Sequence, residues 1–230
     1  MAFKKLVAPS LTELFVNELE GLILTGKLKP GEKLPPERQL AEEMDVSLAV
    51  INGGIQRLAV MGFLRVVPRQ GIFVDDYVRN GNMDTMIEVM NYRKEVLDED
   101  ILRAIIDFRR SLELSAVRLA CENRTEESLA IMEELSARAA EEKENFPEIG
   151  FAFQHEISIA SGNAYIPMIT RTFKPVYITF YQKHLSVSCR ADMAQLLRKL
   201  YAAVRDRDVE ESQRLINQSV DNWIASLEND

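Results

Sequence analysis

The stretch from Leu34 to Val74 constrains the fold of this chain more than any other, because two helical patterns and a hairpin pattern follow each other in it. Two prolines, at positions 35 and 36, precede the first helical pattern, and the first turn of a helix tolerates proline because N–H groups there have no intrahelical partner. A turn over residues 45–47 ends in Ser47, which is placed to cap the second helix. That helix has apolar residues at helical spacing and ends at Gly62.

A short hairpin follows the second helix. Residues 63–67 are mostly apolar, residues 68–71 have the turn composition Pro-Arg-Gln-Gly, and residues 72–74 return as a second strand. Helix, tight turn, helix and hairpin together predict a winged helix-turn-helix, in which the second helix of the motif enters the major groove of DNA. The alternative is that these elements have a structural role alone.

The same stretch resembles the DNA-binding domain of the GntR family of bacterial transcription regulators, whose motif opens with L-P-S-E-R-x-L-A-x-x-x-x-V-S and closes with R-x-x-G-x-G-x-F-V. The matching positions are Leu34, Pro35, Glu37, Arg38, Leu40, Ala41, Val46, Ser47, Leu58, Gly62, Gly71, Phe73 and Val74. The resemblance implies a DNA-binding regulator of transcription.

The recognition helix departs from the family pattern. Where the family has S-R-T-T-V-R-E-A-L, this chain has S-L-A-V-I-N-G-G-I from residue 47, and Arg69-Gln70 replaces the usual Gly-Arg of the wing. Arginine is the commonest reader of guanine, so we expect an operator richer in A·T, read through thymine methyl groups and through adenine pairing with Asn52. The expected DNA-binding residues are Arg38, Ser47, Leu48, Ala49, Asn52, Arg57, Arg69, Gln70 and Gly71.

Charge limits how tightly one such domain can bind DNA. Residues 1–78 carry nine Lys or Arg against ten Asp or Glu. Binding would depend on a local basic patch made of Lys4, Lys5, Lys33, Arg38, Arg57, Arg65 and Arg69. Because a single near-neutral domain binds too weakly to choose a site, we expect a homodimer on a palindromic operator.

A pair of glycines, Gly53-Gly54, lies inside the second helix of the motif and costs about 1 kcal/mol per glycine there. The pair indicates close packing or close approach of another backbone.

Length and composition indicate two domains. With 230 residues, 47% of them hydrophobic, the chain can bury a sizeable core, and a break in periodicity places the boundary near residue 78. We expect a DNA-binding domain over 1–78 and an effector-binding domain over 79–230. The sequence has no run of eighteen apolar residues and no secretory signal pattern, so we expect a cytoplasmic protein without a membrane partner. Cys121 and Cys189 are expected to be buried thiols.

The rest of the chain has helical periodicity. Ser10 and Glu13 predict a capping box for a first helix whose buried stripe is Leu11, Leu14, Phe15, Leu19, Leu22 and Ile23. Later helical stretches lie near 83–94, 98–122, 125–145, 147–161, 164–188, 191–206 and 208–227. Pro167 and Pro175 are expected to kink or split the stretch 164–188. The predicted fold class is mainly α, a winged helix-turn-helix followed by an antiparallel bundle of six or seven helices.

The helical half resembles the FadR subfamily, the fatty-acid-regulator branch of the GntR family, whose effector domain is all helical. Its marks are Arg109 in D-F-R-R, the A-S-G-N at 160–163 and the A-V-R-D-R-D at 203–208. Many members hold a divalent metal with one Asp and three His. The resemblance places Gly150 at the Asp position and Gln154 at the first His position. His155 is one residue out of register and His184 is the only other histidine, so we expect no metal and no cofactor.

The resemblance also implies an effector. Acyl-CoA-responsive members carry S-x-x-x-W in the last helix, which Ser219 and Trp223 match, and a pocket tyrosine at the position of Tyr177, although Ile216 replaces a glycine of that pattern. A long-chain fatty acyl-CoA that releases DNA and controls fatty acid metabolism is the expected effector. Its pocket would include the aromatic residues of a proline-kinked helix, which are Phe173, Tyr177, Phe180 and Tyr181.

Other interpretations stay open at this point. Trp223 also suits simple core packing, and Arg109 suits either an anionic head group or a salt bridge to a buried Glu. A small organic or sugar acid is the alternative effector, and the missing recognition-helix arginines leave room for a ligand-binding homologue with weakened DNA binding. An enzyme is not expected, because the sequence has no nucleophile elbow, no phosphate loop and no His at a useful spacing from Cys or Asp.

Overall fold

The computed structural model describes residues 9–92, 99–142, 145–184 and 187–227, and the chain divides into two compact units, residues 1–98 and 99–230. Lys4 and Lys5, and the side chains of Phe180, His184 and Cys189, lie outside what the structure describes. The boundary between the two units follows residue 98, later in the chain than the boundary predicted near residue 78. The extent of the DNA-binding domain stays a prediction.

The first unit contains helices and one hairpin. Its elements are α1 (Leu11–Leu24), α2 (Glu37–Glu43), α3 (Leu48–Val60), β1 (Leu64–Val67), β2 (Gly71–Val74), α4 (Tyr77–Asn80) and α5 (Met83–Asn91). β1 and β2 pair antiparallel, with Leu64 opposite Val74. An isolated bridge joins Lys33 to Phe73, so the segment before α2 is tied to the hairpin. The predicted winged helix-turn-helix is confirmed.

Local signals set the ends of these helices. The hydroxyl of Ser10 accepts a hydrogen bond from the N–H of Glu13 at 3.2 Å, and the Glu13 carboxylate accepts one from the N–H of Ser10 at 2.7 Å. Ser47 Oγ accepts a hydrogen bond from the N–H of Val50 at 3.4 Å and caps α3. Gly62, just after α3, has φ +78°, a conformation that glycine adopts without a Cβ clash. The predicted capping box, cap and stop are confirmed.

One apolar core joins α1, α3 and the hairpin of the first unit. It includes Phe15, Val16, Leu19, Ile23, Ile51, Ile55, Leu58, Phe63, Leu64, Ile72 and Val74. Leu11 and Leu14 are 55% and 50% exposed, so the prediction that they belong to the buried stripe was wrong. Successive helix residues are about 100° apart, so Leu14 lies about 120° away from the face centred on Phe15 and Leu19. Leu11 is near that face but is the first residue of α1.

The second unit is a bundle of seven helices in the residues described. They are α6 (Glu99–Asn123), α7 (Glu126–Glu141), α8 (Phe146–Ala160), α9 (Tyr165–Thr172), α10 (Lys174–His184), α11 (Val187–Arg205) and α12 (Val209–Leu227). α6 packs against α8 and α12, and α7 packs against α8 and α11. The predicted split of the stretch 164–188 occurs at Phe173, with Pro167 and Pro175 each in the first turn of its own helix. None of the described helices is both long and apolar enough to cross a membrane.

Candidate functional site

The first turn of α3 is an exposed apolar surface. Leu48 is 40% exposed and Ala49 is exposed beside it, directly after the cap residue Ser47. No Lys or Arg occurs in α3 before Arg57. This turn can therefore contact apolar groups such as thymine methyls, and it has no charged donor for guanine.

Asn52 and Arg57 lie further along α3 in different surroundings. Asn52 is half-buried, and its Oδ1 is covered and has no hydrogen-bond partner among the described residues. A bidentate contact to adenine uses both amide atoms, so this side chain has to turn before it can make the predicted contact. Arg57 is exposed in the last turn and lines a groove of about 500 Å³ between α3 and α5. The structure does not bring Arg57 together with Leu48, because nine residues of helix rise by about 13 Å.

The remaining predicted DNA contacts lie on α2 and the hairpin turn. Arg38 is exposed in the first turn of α2, and Arg69 and Gln70 are exposed in the turn between β1 and β2. Gly71 has φ +120°, and a Cβ there would lie 2.8 Å from Cε of Lys33. A side chain at position 71 would displace the end of the flexible Lys33 side chain, and the positive φ would strain any residue other than glycine. The role of these residues in DNA binding stays a prediction.

Arg109 is the centre of the candidate effector site. It is 2% exposed, and its Nε donates hydrogen bonds to Oε1 of Glu113 at 2.5 Å and to the hydroxyl of Tyr177 at 2.8 Å. Glu113 lies one helical turn later on α6 and is equally buried. Of the two interpretations of Arg109, the structure therefore shows the salt bridge to a buried Glu.

Aromatic rings surround the guanidinium group. Its Cζ lies 3.7 Å from the ring centroid of Trp223 and 4.2 Å from that of Tyr177. Tyr181 lies edge-on to Trp223 at 5.3 Å, and Phe151 lies edge-on to Tyr177 at 5.5 Å. Such rings stabilise a buried cation through their negative faces. Trp223 is therefore packed in the core against the positive charge of Arg109.

Two donors of this interior remain unused. Nη1 of Arg109 and Nε2 of Gln154 are both buried without a hydrogen-bond partner among the described residues. Leaving a buried donor unpaired costs about 1–3 kcal/mol, and more when the group is charged. Burial raises the pKa of Glu113, and the opposing effects of the Arg109 charge and hydrogen bond are smaller. An acceptor on a ligand, such as a carboxylate or carbonyl oxygen, would satisfy Arg109.

The residues at the expected metal positions do not fit a divalent metal. Gly150 has no ligand atom, and a Cβ at its position would lie 3.0 Å from Cε2 of Tyr181, so an aromatic ring occupies this space. His155 stacks on Phe151 with ring centroids 5.9 Å apart, and burial lowers its pKa. The described residues contain no group of three or more His, Cys, Asp or Glu that could hold a metal.

Sequence reasoning missed Glu113. The available signal was the R-x-x-x-E spacing from Arg109, which places two opposite charges one helical turn apart. Ser219, the other predicted ligand residue, is 8% exposed on α12, one turn before Trp223. The structure therefore brings Arg109, Tyr177 and Trp223 together and keeps Ser219 on the helix that carries Trp223.

Two named relatives share sequence with this chain. HTH-type transcriptional regulator Mce2R of Mycobacterium tuberculosis is 30% identical over 145 residues, which are 63% of this chain and 60% of that protein. Fatty acid metabolism regulator protein of Shewanella pealeana is 24% identical over 151 residues, 66% of this chain and 62% of that protein. The chain thus spans less than two thirds of the length of these relatives.

Structural and family comparisons cover more of the chain. The solved structure of Escherichia coli McbR/YncC has a TM-score of 0.53 at 23% identity, covers 96% of this chain and 99% of that one, and shows the fold alone. Residues 11–74 match the family described as bacterial regulatory proteins, gntR family, and residues 104–222 match the FCD domain. The chain therefore belongs to the GntR family of bacterial regulatory proteins and carries an FCD domain.

Proposed function

We propose that this protein is a ligand-responsive transcription regulator, which binds operator DNA through its winged unit and a small-molecule effector through its helical unit. The exposed first turn of α3, with Arg38 and Arg69 exposed on neighbouring elements, supports the DNA-binding role. The relatives described above are named as regulators, which supports a regulator rather than an enzyme. A mobility-shift assay on DNA upstream of its own gene tests this role, and absence of any retarded band at low salt would contradict it.

The proposed DNA-bound form is a homodimer on a palindromic operator. Residues 1–78 carry slightly more acidic than basic residues, so one winged unit gains little electrostatic energy from phosphates, and two units double the contacts. Multi-angle light scattering at micromolar concentration should give twice the chain mass of 26.2 kDa. A stable monomer both with and without operator DNA would exclude this arrangement.

The observation that carries the effector proposal is the buried, incompletely paired Arg109 within an aromatic cluster. It combines one cationic donor with a large apolar surface, which suits a ligand with an oxygen-bearing head and an apolar body. A long-chain fatty acyl-CoA fits this description, and each buried methylene gains about 0.8 kcal/mol. That energy is available to open the packed cluster and to favour a state with low affinity for DNA. The name of the Shewanella relative also points toward fatty acid metabolism.

Palmitoyl-CoA titration tests this effector directly. Trp223 is the single tryptophan, so its fluorescence reports on the site, and operator release is followed in the same samples. Ser219→Asn should blunt both responses, because a larger side chain is placed at a buried position one turn from Trp223. Ser111→Asn, the same change at an exposed position on α6, is the matched control and should respond as wild type. Unchanged fluorescence and DNA binding at tens of micromolar acyl-CoA would exclude acyl-CoA.

A small organic or sugar acid is the second candidate effector. The specific observation in its favour is the unpaired Nη1 of Arg109, since a carboxylate pairs with a guanidinium group through two hydrogen bonds. A dicarboxylate or sugar acid that changes Trp223 fluorescence and releases DNA, where acyl-CoA does neither, would identify this class.

A further inference from the structure

Glu20 is an acidic residue inside the otherwise apolar core of the winged unit. It is 4% exposed on α1, between the core residues Leu19 and Ile23. Its Oε1 is buried and has no hydrogen-bond partner in the part of the chain that the structure describes. A carboxylate in this position loses its hydration without gaining a protein donor, which is costly unless the group is protonated.

The helix α5 packs against the same core. Val89 of α5 and Tyr92, which follows it, pack against the apolar core. The Tyr92 hydroxyl lies 2.6 Å from the position that a Cβ on Gly21 would occupy, so α5 ends against the residue next to Glu20. At the other end of α5, Nδ2 of Asn82 donates a hydrogen bond to the Val60 carbonyl at 2.9 Å, which ties α5 to α3.

Charges from two helices act on Glu20. Glu88 of α5 disfavours its ionisation, and Arg57 of α3 favours it. Tyr92 completes the set, and its own pKa is raised by burial and by the charges of Glu18 and Glu20. Burial is the largest influence on Glu20 and, together with Glu88, raises its pKa from 4.5 to about 7. Ionised Glu20 would therefore be a buried negative charge that is repelled by Glu88 of α5.

We propose that Glu20 is a proton-dependent latch for α5, which stays docked on α1 and α3 while Glu20 is protonated and is loosened when Glu20 ionises beside Glu88. The sign follows from linkage: a carboxyl group whose pKa is raised in the docked state stabilises that state at low pH. This stabilisation is lost as the pH rises from about 4.5 to about 7. The latch is independent of DNA and of any effector. It matters for regulation because α5 is the last described helix before the chain continues to the bundle at Glu99.

Hydrogen–deuterium exchange of the full chain measures the latch. With a pKa of about 7 docked and 4.5 undocked, the opening constant of α5 should rise about tenfold between pH 6 and pH 8, after correction for the intrinsic exchange rate. Peptides within Met83–Asn91 carry this signal, and peptides of α12 serve as an internal reference. Glu20→Gln, which mimics the protonated group, should remove the pH dependence.

Two further variants make the test decisive. Glu88→Gln removes the like charge without touching the core and should move the midpoint of the transition to lower pH. Glu42→Gln, the same change at an exposed site on α2, should behave as wild type. The latch is excluded if wild-type α5 shows no pH dependence, or if the dependence persists in Glu20→Gln. It is also excluded if Glu88→Gln leaves the midpoint unchanged.

Discussion

Replacement of Arg109 by methionine should destabilise the helical unit strongly. The Arg109 side chain is 3% exposed, as is that of Glu113, and the two form a salt bridge of 2.5 Å within α6. Methionine keeps the length and apolar body of the side chain, but it removes the positive charge that lies between Trp223 and Tyr177. Glu113 is then left buried without its partner.

The magnitude follows from that unpaired carboxylate. Breaking a buried ion pair by removing one member costs about 3–5 kcal/mol of unfolding free energy. In the variant Glu113 loses both influences that lower its pKa, and burial alone raises it. A folded-state pKa above the unfolded value means that stability falls as pH rises above about 4.5. The loss should therefore be smaller at pH 5 than at pH 8.

Urea unfolding followed by Trp223 fluorescence is a suitable assay, because this single tryptophan contacts Arg109. The matched control is Arg118→Met on the same helix, which breaks an ion pair to Glu122 of the same spacing that is 44% and 52% exposed. That control should cost no more than about 1 kcal/mol. The double variant Arg109→Met/Glu113→Leu should recover most of the loss. Equal losses for Arg109→Met and Arg118→Met, or a loss independent of pH, would refute the reasoning.

Three other outcomes are expected. Arg38→Ala and Arg69→Ala should each weaken operator binding by about 1–3 kcal/mol in mobility-shift titrations, and an unchanged affinity for both would mean that DNA is read elsewhere. Gly54→Ala should lower the urea midpoint of the winged unit, followed by circular dichroism, because its Cβ would lie 2.2 Å from the Phe15 ring. Gly53→Ala, whose Cβ would lie 3.7 Å from its nearest atom, should instead raise the free energy of unfolding by about 0.5–1 kcal/mol; the reverse order of the two variants would contradict this packing. Elemental analysis should find no stoichiometric zinc, nickel or manganese. Such a metal held by His155 would overturn the assignment of Gly150 and Gln154 to the Asp and His positions of the metal site.

Features that depend on neighbouring residues could be predicted from the sequence. The Ser10–Glu13 capping box, the Ser47 cap and the Gly62 stop involve groups within a few residues of each other, so their spacing alone specifies the hydrogen bonds. The prolines at 167 and 175 act in the same way, since each suits the first turn of a helix and disfavours a continuous one. The hairpin and most of the helices follow from such local signals, whereas the short α4 was not predicted.

The candidate effector site could be predicted only in part. Arg109 and Glu113 are one turn apart on α6, so the spacing alone was enough to predict their pairing, although Glu113 was missed. The Tyr177 hydroxyl is 68 residues further along the chain, and no local pattern shows that it reaches Arg109. Leu11 and Leu14 were wrongly assigned to the apolar stripe of α1 for a related reason. Leucines occur on both sides of this helix, and only the position of α3 decides which side is buried.

The glycine pair in α3 shows how such a long-range contact can shape the surface that we propose to bind DNA. Helix propensity gives Gly53 and Gly54 the same cost, whereas the structure gives them different surroundings. A Cβ on Gly54 would overlap the Phe15 ring, so α1 can approach α3 this closely only with glycine at position 54. A Cβ on Gly53 would reach Thr12 at an ordinary contact distance. Because Phe15 and Gly54 determine how α3 packs on α1, they also determine the direction in which the exposed Leu48 and Ala49 face solvent. A buried glycine therefore helps to determine how α3 exposes the residues that we propose to contact DNA.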